Sequence, residues 1–269
     1  MDLKLTNKNV LITGGSNGIG YALAEAFLGE GANVLIAARN KERLDSAASN
    51  LRAQFPQGKL SAKECDVTRV AELETLAQFA DSELGGVDVL INHAGGGTDE
   101  TVMNAPDDKW YYNWDLHVMS AVRLSRMLHS GMAKRAALHG EAVIINTTSK
   151  CAVQPLWYEP IYNVTKAALA MFSKCLSDEF AKDKVRVLAI APSMVLTPDW
   201  MKTSAKKSAE QGISQQEFLD NLAKNSAAIG RFATPEEVAN LYLFAASPRA
   251  SYLLGTSVHI HGGAIKSVN

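Results

Sequence analysis

The sequence has 269 residues, 47% hydrophobic and 20% charged, which is typical of a folded globular protein. Its formal net charge of −1 lacks the basic excess common in nucleic-acid-binding proteins. No apolar run reaches the roughly 18 residues expected of a membrane-spanning helix, and the first residues lack a signal-peptide pattern. The three cysteines have no metal-ligand spacing. We therefore expect a cytoplasmic protein with no nucleic-acid partner, no membrane association and no metal.

Short β-branched and aliphatic runs alternate with longer stretches of helical pattern along the whole chain. Such runs predict strands buried on both faces, as in a parallel sheet, and the helical patterns include 20–29, 70–84 and 167–180. The alternation predicts an α/β fold, a doubly wound Rossmann-like parallel sheet of about seven strands in one domain, 1–269. The predicted strands are 9–13, 33–37, 60–65, 87–92, 142–146, 185–190 and 257–260.

One region departs from this alternation. Residues from about 195 to 230 follow the sixth predicted strand and are rich in Lys, Ser, Gln and Ala. Ligands of doubly wound sheets bind outside the carboxyl ends of the strands. We therefore expect a helical substrate flap at this edge.

Glycine is concentrated between the first predicted strand and helix. Gly14 permits a tight turn, Gly18 lets the backbone approach a pyrophosphate, and Gly20 lets the helix pack closely on the strand. A glycine-rich turn without a ligand is the alternative, but the strand–turn–helix context favours dinucleotide binding at the helix start. The expected contacts are Gly14, Ser16, Asn17, Gly18 and Ile19.

The end of the second predicted strand indicates which dinucleotide is bound. NAD-binding sites usually place Asp or Glu there to hold the ribose hydroxyls, whereas this chain has Ala38-Arg39-Asn40. A carboxylate repels a 2′-phosphate, and a guanidinium binds it through paired hydrogen bonds. Arg39 therefore favours NADP(H) over NAD(H), although a solvated arginine that merely starts the next helix would give the same pattern.

Tyr162 and Lys166 are four residues apart at the start of a predicted helix, so their side chains share one face. A lysine ammonium favours the phenolate of a nearby tyrosine. A shift of about three pKa units needs roughly 4 kcal/mol, the order of one close charge pair at an effective dielectric of about 20. The pair therefore suits proton transfer to a carbonyl oxygen. Ser149, at the end of the fifth predicted strand, is expected to hydrogen-bond the substrate oxygen.

In this order the motifs resemble those of the short-chain dehydrogenase/reductase family, and the resemblance covers nearly the whole chain. The motifs are Thr13-Gly14 to Gly18-Ile19-Gly20, Asp66-Val67, Asn92-His93-Ala94-Gly95, Ser149, Tyr162 with Lys166, Pro192 with Thr197, and the tail from Gly230-Arg231 through Gly255 to Gly262-Gly263.

The resemblance implies hydride transfer between the cofactor and a carbonyl or secondary alcohol, with Tyr162 moving the proton and Lys166 binding the nicotinamide ribose. It also implies a homotetramer. Further cofactor contacts are implied for Asp66 and Val67 at the adenine, for Asn92, Ala94 and Gly95 at the adenine ribose, and for Pro192, Met194 and Thr197 at the nicotinamide and phosphates.

Three positions depart from the family pattern. The family usually has an asparagine at the position of His117, where it holds a water in the proton relay to the lysine. Histidine also accepts and donates, so His117 either maintains this relay or only packs. Ser193 replaces the glycine that usually follows Pro192, and His261 replaces an acid in a tail that usually contacts another subunit.

The substrate is the least determined part. Aromatic and methionine side chains near Tyr162 and on the predicted flap suit an apolar or aromatic ketone or alcohol, although such residues more often pack in a core. A 3-oxoacyl-thioester reductase and a catalytically weak NADP-binding sensor stay open as alternatives. The residues concerned are Trp157, Tyr158, Met194, Trp200 and Met201, while Lys206 and Lys207 are expected to be solvated.

Overall fold

A computed structural model describes residues 1–267, so the last two residues of the predicted 1–269 domain lie outside the described residues. Seven strands of this part of the chain form one sheet, in which every neighbouring pair is parallel. The strands are β1 (Asn9–Thr13), β2 (Asn33–Ala38), β3 (Leu60–Glu64), β4 (Val89–Asn92), β5 (Ala142–Thr147), β6 (Val185–Pro192) and β7 (Ser257–Ile260).

The order β3-β2-β1-β4-β5-β6-β7 confirms the predicted doubly wound sheet. The chain moves outward from β1 through β2 to β3 and then returns to place β4 on the other side of β1. The carboxyl ends of β1 and β4 therefore flank a crevice where the strand order reverses, which is where such folds bind nucleotides.

Helices cover both faces of the sheet. A π-helical turn, Asp115–Met119, joins two of them into one continuous helical rod. The helices are α1 (Gly18–Gly29), α2 (Lys41–Gln54), α3 (Val70–Leu84), α4 (Asp107–Trp114), α5 (Ser120–His139), α6 (Pro160–Phe180), α7 (Pro198–Gln211), α8 (Gln215–Ser226) and α9 (Pro235–Ala246).

Successive residues of the central strands point to opposite faces and supply two separate cores. Val10 and Ile12 of β1 pack with Phe27 of α1 and Tyr242 of α9. Leu11, between them, packs on the other face with helices α3 and α5. This alternation explains why β1 is buried at every position.

The prediction that every strand is buried on both faces is wrong for the two edge strands. Residues of β3 and β7 are partly or fully exposed, because each has a neighbouring strand on one side only. The predicted flap region contains α7 and α8, whose apolar side chains form a small third core with Phe232. Among residues 1–267, no helix combines the length and apolarity that crossing a bilayer demands.

We expect Gly20→Ala to destabilise the protein, because a β-carbon on Gly20 would lie 2.1 Å from the Gly14 carbonyl oxygen. Urea denaturation should give a loss of about 1–3 kcal/mol in the free energy of unfolding. Gly29→Ala in the same helix is the matched control, since its β-carbon would meet only Phe55 at 3.9 Å. That variant should be neutral or gain up to about 1 kcal/mol. Equal effects of the two substitutions would contradict the close packing of helix on strand.

Candidate active site

Three of the predicted site residues meet at the carboxyl edge of the sheet. Ser149 follows β5 and caps a short 3₁₀ turn, where its hydroxyl accepts a hydrogen bond from the Cys151 N–H at 3.2 Å. Tyr162 and Lys166 lie on the first turns of α6, and Tyr162 hydrogen-bonds with Ser149. The Lys166 amine lies 5.6 Å from the centre of the Tyr162 ring. The helical spacing therefore places the Lys166 amine beside the Tyr162 ring, and Tyr162 in turn meets Ser149.

Lys166 is buried, and its amine is held by the sheet. It donates a hydrogen bond of 2.8 Å to the carbonyl oxygen of Thr147, the last residue of β5. Burial lowers the pKa of Lys166 to about 8, because desolvation disfavours the ammonium form. The lysine is thus largely charged at neutral pH and loses its proton as the pH rises through 8.

The pKa of Tyr162 moves in the opposite direction from the expectation. Burial raises it above the ordinary value of tyrosine, and the hydrogen bond with Ser149 only partly opposes this. The nearby Lys166 does not overcome the loss of hydration in the chain alone. Tyr162 is therefore a protonated phenol at neutral pH, ready to donate.

His117 is buried inside the π-helical turn, with its ring edge-on to Tyr162 at 5.6 Å between centres. Its Nδ1 lies 2.8 Å from the Thr165 hydroxyl, which itself donates to the carbonyl oxygen of Ile161 at 2.8 Å. The Thr165 oxygen therefore accepts from Nδ1–H. On the other side, the Gly96 N–H donates to Nε2 at 3.3 Å. These contacts assign the neutral Nδ1–H tautomer, and burial lowers the pKa of His117 to about 2.

The predicted nucleotide loop lies against the carboxyl end of β4. A β-carbon on Gly14 would come within 3.0 Å of the Ala94 backbone, and one on Gly18 within 3.2 Å of the Thr197 methyl group. A β-carbon on Gly95 would lie 3.0 Å from the His117 ring and 3.5 Å from the Lys166 amine. The three glycines thus lie at the crevice where the strand order reverses, and this cleft reaches Lys166 beside Gly95.

Other predicted cofactor residues lie at the same edge of the sheet. In the glycine turn, Ser16 and Asn17 are half-buried, Asn17 precedes α1 in an extended conformation, and Ile19 packs on the core. Asn92 donates to Ser125 and Asn146, so its amide fastens β4 to its neighbours. After β3, the Asp66 carboxylate accepts from the Thr68 N–H and hydroxyl, while Val67 is buried.

The far end of the cleft follows β6. Pro192 pairs with Ile260 of β7, and the Ser193 N–H donates to the Ile260 carbonyl. The Ser193 hydroxyl is buried and has no hydrogen-bond partner among the described residues. Met194 accepts a backbone hydrogen bond from Ala233. The replacement of glycine by Ser193 therefore adds an unsatisfied hydroxyl at this end.

Arg39 lies directly between β2 and α2, and Asn40 caps the helix by accepting from the Arg43 N–H. The guanidinium donates a hydrogen bond to the hydroxyl of Tyr112 on α4. Arg39 is exposed, but the tyrosine hydroxyl holds its end in place.

Glu159 is a residue at the site that the sequence analysis did not identify. It precedes α6 in a left-handed conformation with φ of 62°, and its carboxylate oxygen lies 3.4 Å from where a β-carbon on Gly97 would stand. Burial raises its pKa to about 7, the charge of Lys207 opposes this, and Asp99 adds to it. Its charge raises the pKa of Tyr162. Nothing in periodicity marks this residue, and its position close before the tyrosine was the only available signal.

The aromatic residues expected near the substrate divide into different roles. Trp157 is exposed, whereas burial raises the pKa of the half-buried Tyr158. Trp200 packs edge-on against Phe232 in the third core, where Met194 also packs. Met201 is largely exposed. Trp200 therefore has a packing role in the flap. The Lys207 amine lies 5.9 Å from the centre of the Tyr158 ring.

Known proteins resemble this chain over nearly its whole length. Residues 14–264 match the family model described as enoyl-(acyl carrier protein) reductase. The chain is 32% identical to 7alpha-hydroxysteroid dehydrogenase of Escherichia coli, over 100% of this chain and 98% of that protein. The structure of L-sorbose reductase from Gluconobacter frateurii, complexed with NADPH and L-sorbose, is 45% identical with a TM-score of 0.96 over the full length of both chains. An NADPH-bound short-chain oxidoreductase from Pseudomonas aeruginosa with an atypical catalytic center is 30% identical, with a TM-score of 0.89 over 97% of this chain and 98% of that one.

The fold and the site together define an oxidoreductase that moves a hydride between a nicotinamide cofactor and a carbonyl or alcohol carbon. The chain belongs to the short-chain dehydrogenase/reductase family.

We expect Thr165→Val to destabilise the protein, because it removes the only hydroxyl that accepts from the buried His117 Nδ1–H in the described structure. An unpaired buried donor should cost about 1–3 kcal/mol of unfolding free energy, measured by urea denaturation. Thr165→Ser keeps the hydroxyl and is the control. If the valine variant were as stable as the serine variant, the assigned tautomer would be wrong.

Proposed function

We propose that the protein is an NADP(H)-dependent ketoreductase, with a single catalytic domain and a helical flap around 195–230. The observation that carries this proposal is the buried cluster of Ser149, Tyr162 and Lys166 at the end of a glycine-bordered cleft. The residues that would transfer the proton therefore lie next to the site that would bind the cofactor.

The cleft fits a dinucleotide. Its glycines let the turn pack closely on the residues after β4 and on Thr197, and the N-terminus of α1 offers N–H groups and positive potential to a pyrophosphate. The buried Ser193 hydroxyl is available at the nicotinamide end. Arg39 supports NADP(H), since its fork of donors matches a phosphate. The complexes of L-sorbose reductase and the Pseudomonas oxidoreductase with NADPH also support it.

Four side chains carry the proton chemistry. Bound NADPH supplies the hydride that the carbonyl carbon receives. Ser149 hydrogen-bonds the carbonyl oxygen, and Tyr162 donates the proton that this oxygen takes up. Lys166 stabilises the phenolate that results, because its ammonium lies beside the ring. Neutral His117 fixes the Gly96 backbone and packs against Tyr162, which orients the phenol.

The reduction direction fits the electrostatics. Burial raises the pKa of Tyr162, so the phenol enters the reaction with its proton in place. A proton donor is what ketone reduction requires, whereas alcohol oxidation requires the phenolate.

A hydroxylated ketone is the proposed substrate. The half-buried Glu159 carboxylate lies near Tyr162 and accepts hydrogen bonds from substrate hydroxyls. Trp200 and Met194, which suggested an apolar pocket, pack inside the flap core. The 45% identity to L-sorbose reductase supports a ketose of this kind.

Two alternatives are separated from this proposal by experiment. A 3-oxoacyl-thioester reductase would turn over acyl thioesters faster than ketoses. A weak NADP-binding sensor would bind NADPH without turning over a broad carbonyl panel.

The assembly and compartment are further parts of the proposal. Val164 and Met171 expose apolar surface on one face of α6, which supports a homotetramer. Cys65, Cys151 and Cys175 are free thiols, which supports the reducing cytoplasm. The proposal keeps the expectation of no nucleic-acid and no membrane partner.

We expect Tyr162→Phe to lower kcat for NADPH-dependent ketose reduction by about 10²–10⁴-fold, because only the proton donor is removed. Calorimetric titration should give an NADPH affinity close to that of the wild type, since the ring is kept. Activity within ten-fold of wild type would refute the assigned role. Wild-type NADPH binding without turnover on any carbonyl would favour the sensor.

We expect Glu159→Gln to raise KM for L-sorbose by about ten-fold, since a hydrogen bond to a charged acceptor is lost. KM for a simple aliphatic ketone is the internal control and should not change. Because the raised pKa of Glu159 is about 7, the carboxylate is present above pH 7 and lost as the pH falls. For the wild type, KM for L-sorbose divided by KM for the aliphatic ketone should therefore rise as the pH is lowered from 8 to 6. For the variant, this ratio should not change with pH. If the variant and the wild type had the same ratio at pH 8, Glu159 would not contact the substrate.

A further inference from the structure

Arg39 and Tyr112 form a bridge between two distant parts of the chain. Arg39 follows β2, and Tyr112 lies on α4, which comes after β4. Both strands flank β1, so their ends lie about 10 Å apart across it. The hydrogen bond from the Arg39 guanidinium to the Tyr112 hydroxyl therefore spans the crevice where the strand order reverses.

The donor count of the guanidinium makes this bridge compatible with phosphate binding. Arginine has five N–H donors in a fixed plane, and the tyrosine hydroxyl takes only one of the two on Nη1. The remaining donors still form the fork that matches two phosphate oxygens. The tyrosine thus fixes the long arginine side chain without consuming its capacity to bind an anion.

The Tyr112 backbone is part of a continuous helical rod. It lies near the end of α4, and α4 continues through the π-helical turn into α5 with helical backbone angles at each junction. The rod sets the position of the Tyr112 backbone, and the Tyr112 side chain, which is 40% exposed, reaches Arg39 through its hydroxyl. Arg39 alone, exposed after β2, would have to lose its rotamer freedom on binding, which weakens association.

We propose that Tyr112 is a positioning residue for cofactor selection: its hydroxyl holds Arg39 over the adenosine side of the cleft, so that the guanidinium is pre-oriented for the 2′-phosphate of NADP(H). This inference rests on the proposed NADP(H) preference and adds a second residue to it. The effect falls on affinity for the phosphorylated cofactor, because an ADP-ribose unit without the 2′-phosphate gains nothing from the oriented guanidinium.

The test uses two ligands that differ only in the 2′-phosphate, namely 2′-phospho-ADP-ribose and ADP-ribose, titrated by calorimetry into the full-length protein. We expect Tyr112→Phe to weaken 2′-phospho-ADP-ribose binding by about five-fold and to leave ADP-ribose within two-fold. Tyr111→Phe is the matched control, since the neighbouring Tyr111 is 72% exposed, and it should change neither affinity. In steady-state assays, the Tyr112→Phe effect should appear in KM for NADPH rather than in kcat.

Arg39→Gln separates this inference from the proposal beneath it. We expect that variant to weaken 2′-phospho-ADP-ribose by more than about ten-fold, since charge-assisted hydrogen bonds are lost. The decisive quantity is the affinity for 2′-phospho-ADP-ribose divided by the affinity for ADP-ribose. If Arg39→Gln lowers this ratio but Tyr112→Phe leaves it unchanged or raises it, Tyr112 does not position Arg39. If Arg39→Gln also leaves the ratio unchanged, the NADP(H) assignment from Arg39 fails as well.

Discussion

The Lys166 amine lies buried at the end of β5, where it donates to the Thr147 carbonyl at 2.8 Å. A buried ammonium is costly without partners, so this hydrogen bond fixes where α6 sits against the sheet. The register of α6 in turn sets the position of Tyr162, one turn earlier, and of Thr165, which orients His117. The arrangement of the site thus depends on one cation tied to one strand end.

The groups around this cation are kept neutral. Burial, aided by the charge of Lys166, lowers the pKa of His93 to about 4 and that of His117 to about 2. Burial also keeps the Tyr162 phenol protonated. A single positive charge among neutral dipoles acts at short range in a poorly hydrated place, where its effect on a forming phenolate is larger than in water. The raised pKa of Tyr162 in this structure therefore describes the phenol before the reaction. The effect of Lys166 is exerted on the phenolate as it forms during proton transfer.

The helical rod from α4 to α5 connects the two ends of the cleft. Tyr112 contacts Arg39 at the adenosine side, and His117 contacts Tyr162 at the catalytic side. Both residues belong to one continuous helical rod, and His117 is buried within its π-helical turn. The departure from the usual asparagine thus coincides with a local departure from α-helical geometry, as π-helical turns often do at functional sites.

The sequence by itself determined the doubly wound α/β fold class, the glycine turn and the Tyr162–Lys166 pair. These depend on periodicity, spacing and local turn chemistry over a few residues. It also indicated Arg39 and the unusual His117. Only the tertiary structure decided that Trp200 packs within the flap, that the Glu159 carboxylate lies beside Gly97 and raises the pKa of Tyr162, and that Tyr112 reaches Arg39. These contacts join segments that are far apart in the sequence, and the pKa shifts arise from the loss of hydration where those segments pack. The local sequence pattern of a single segment predicts neither.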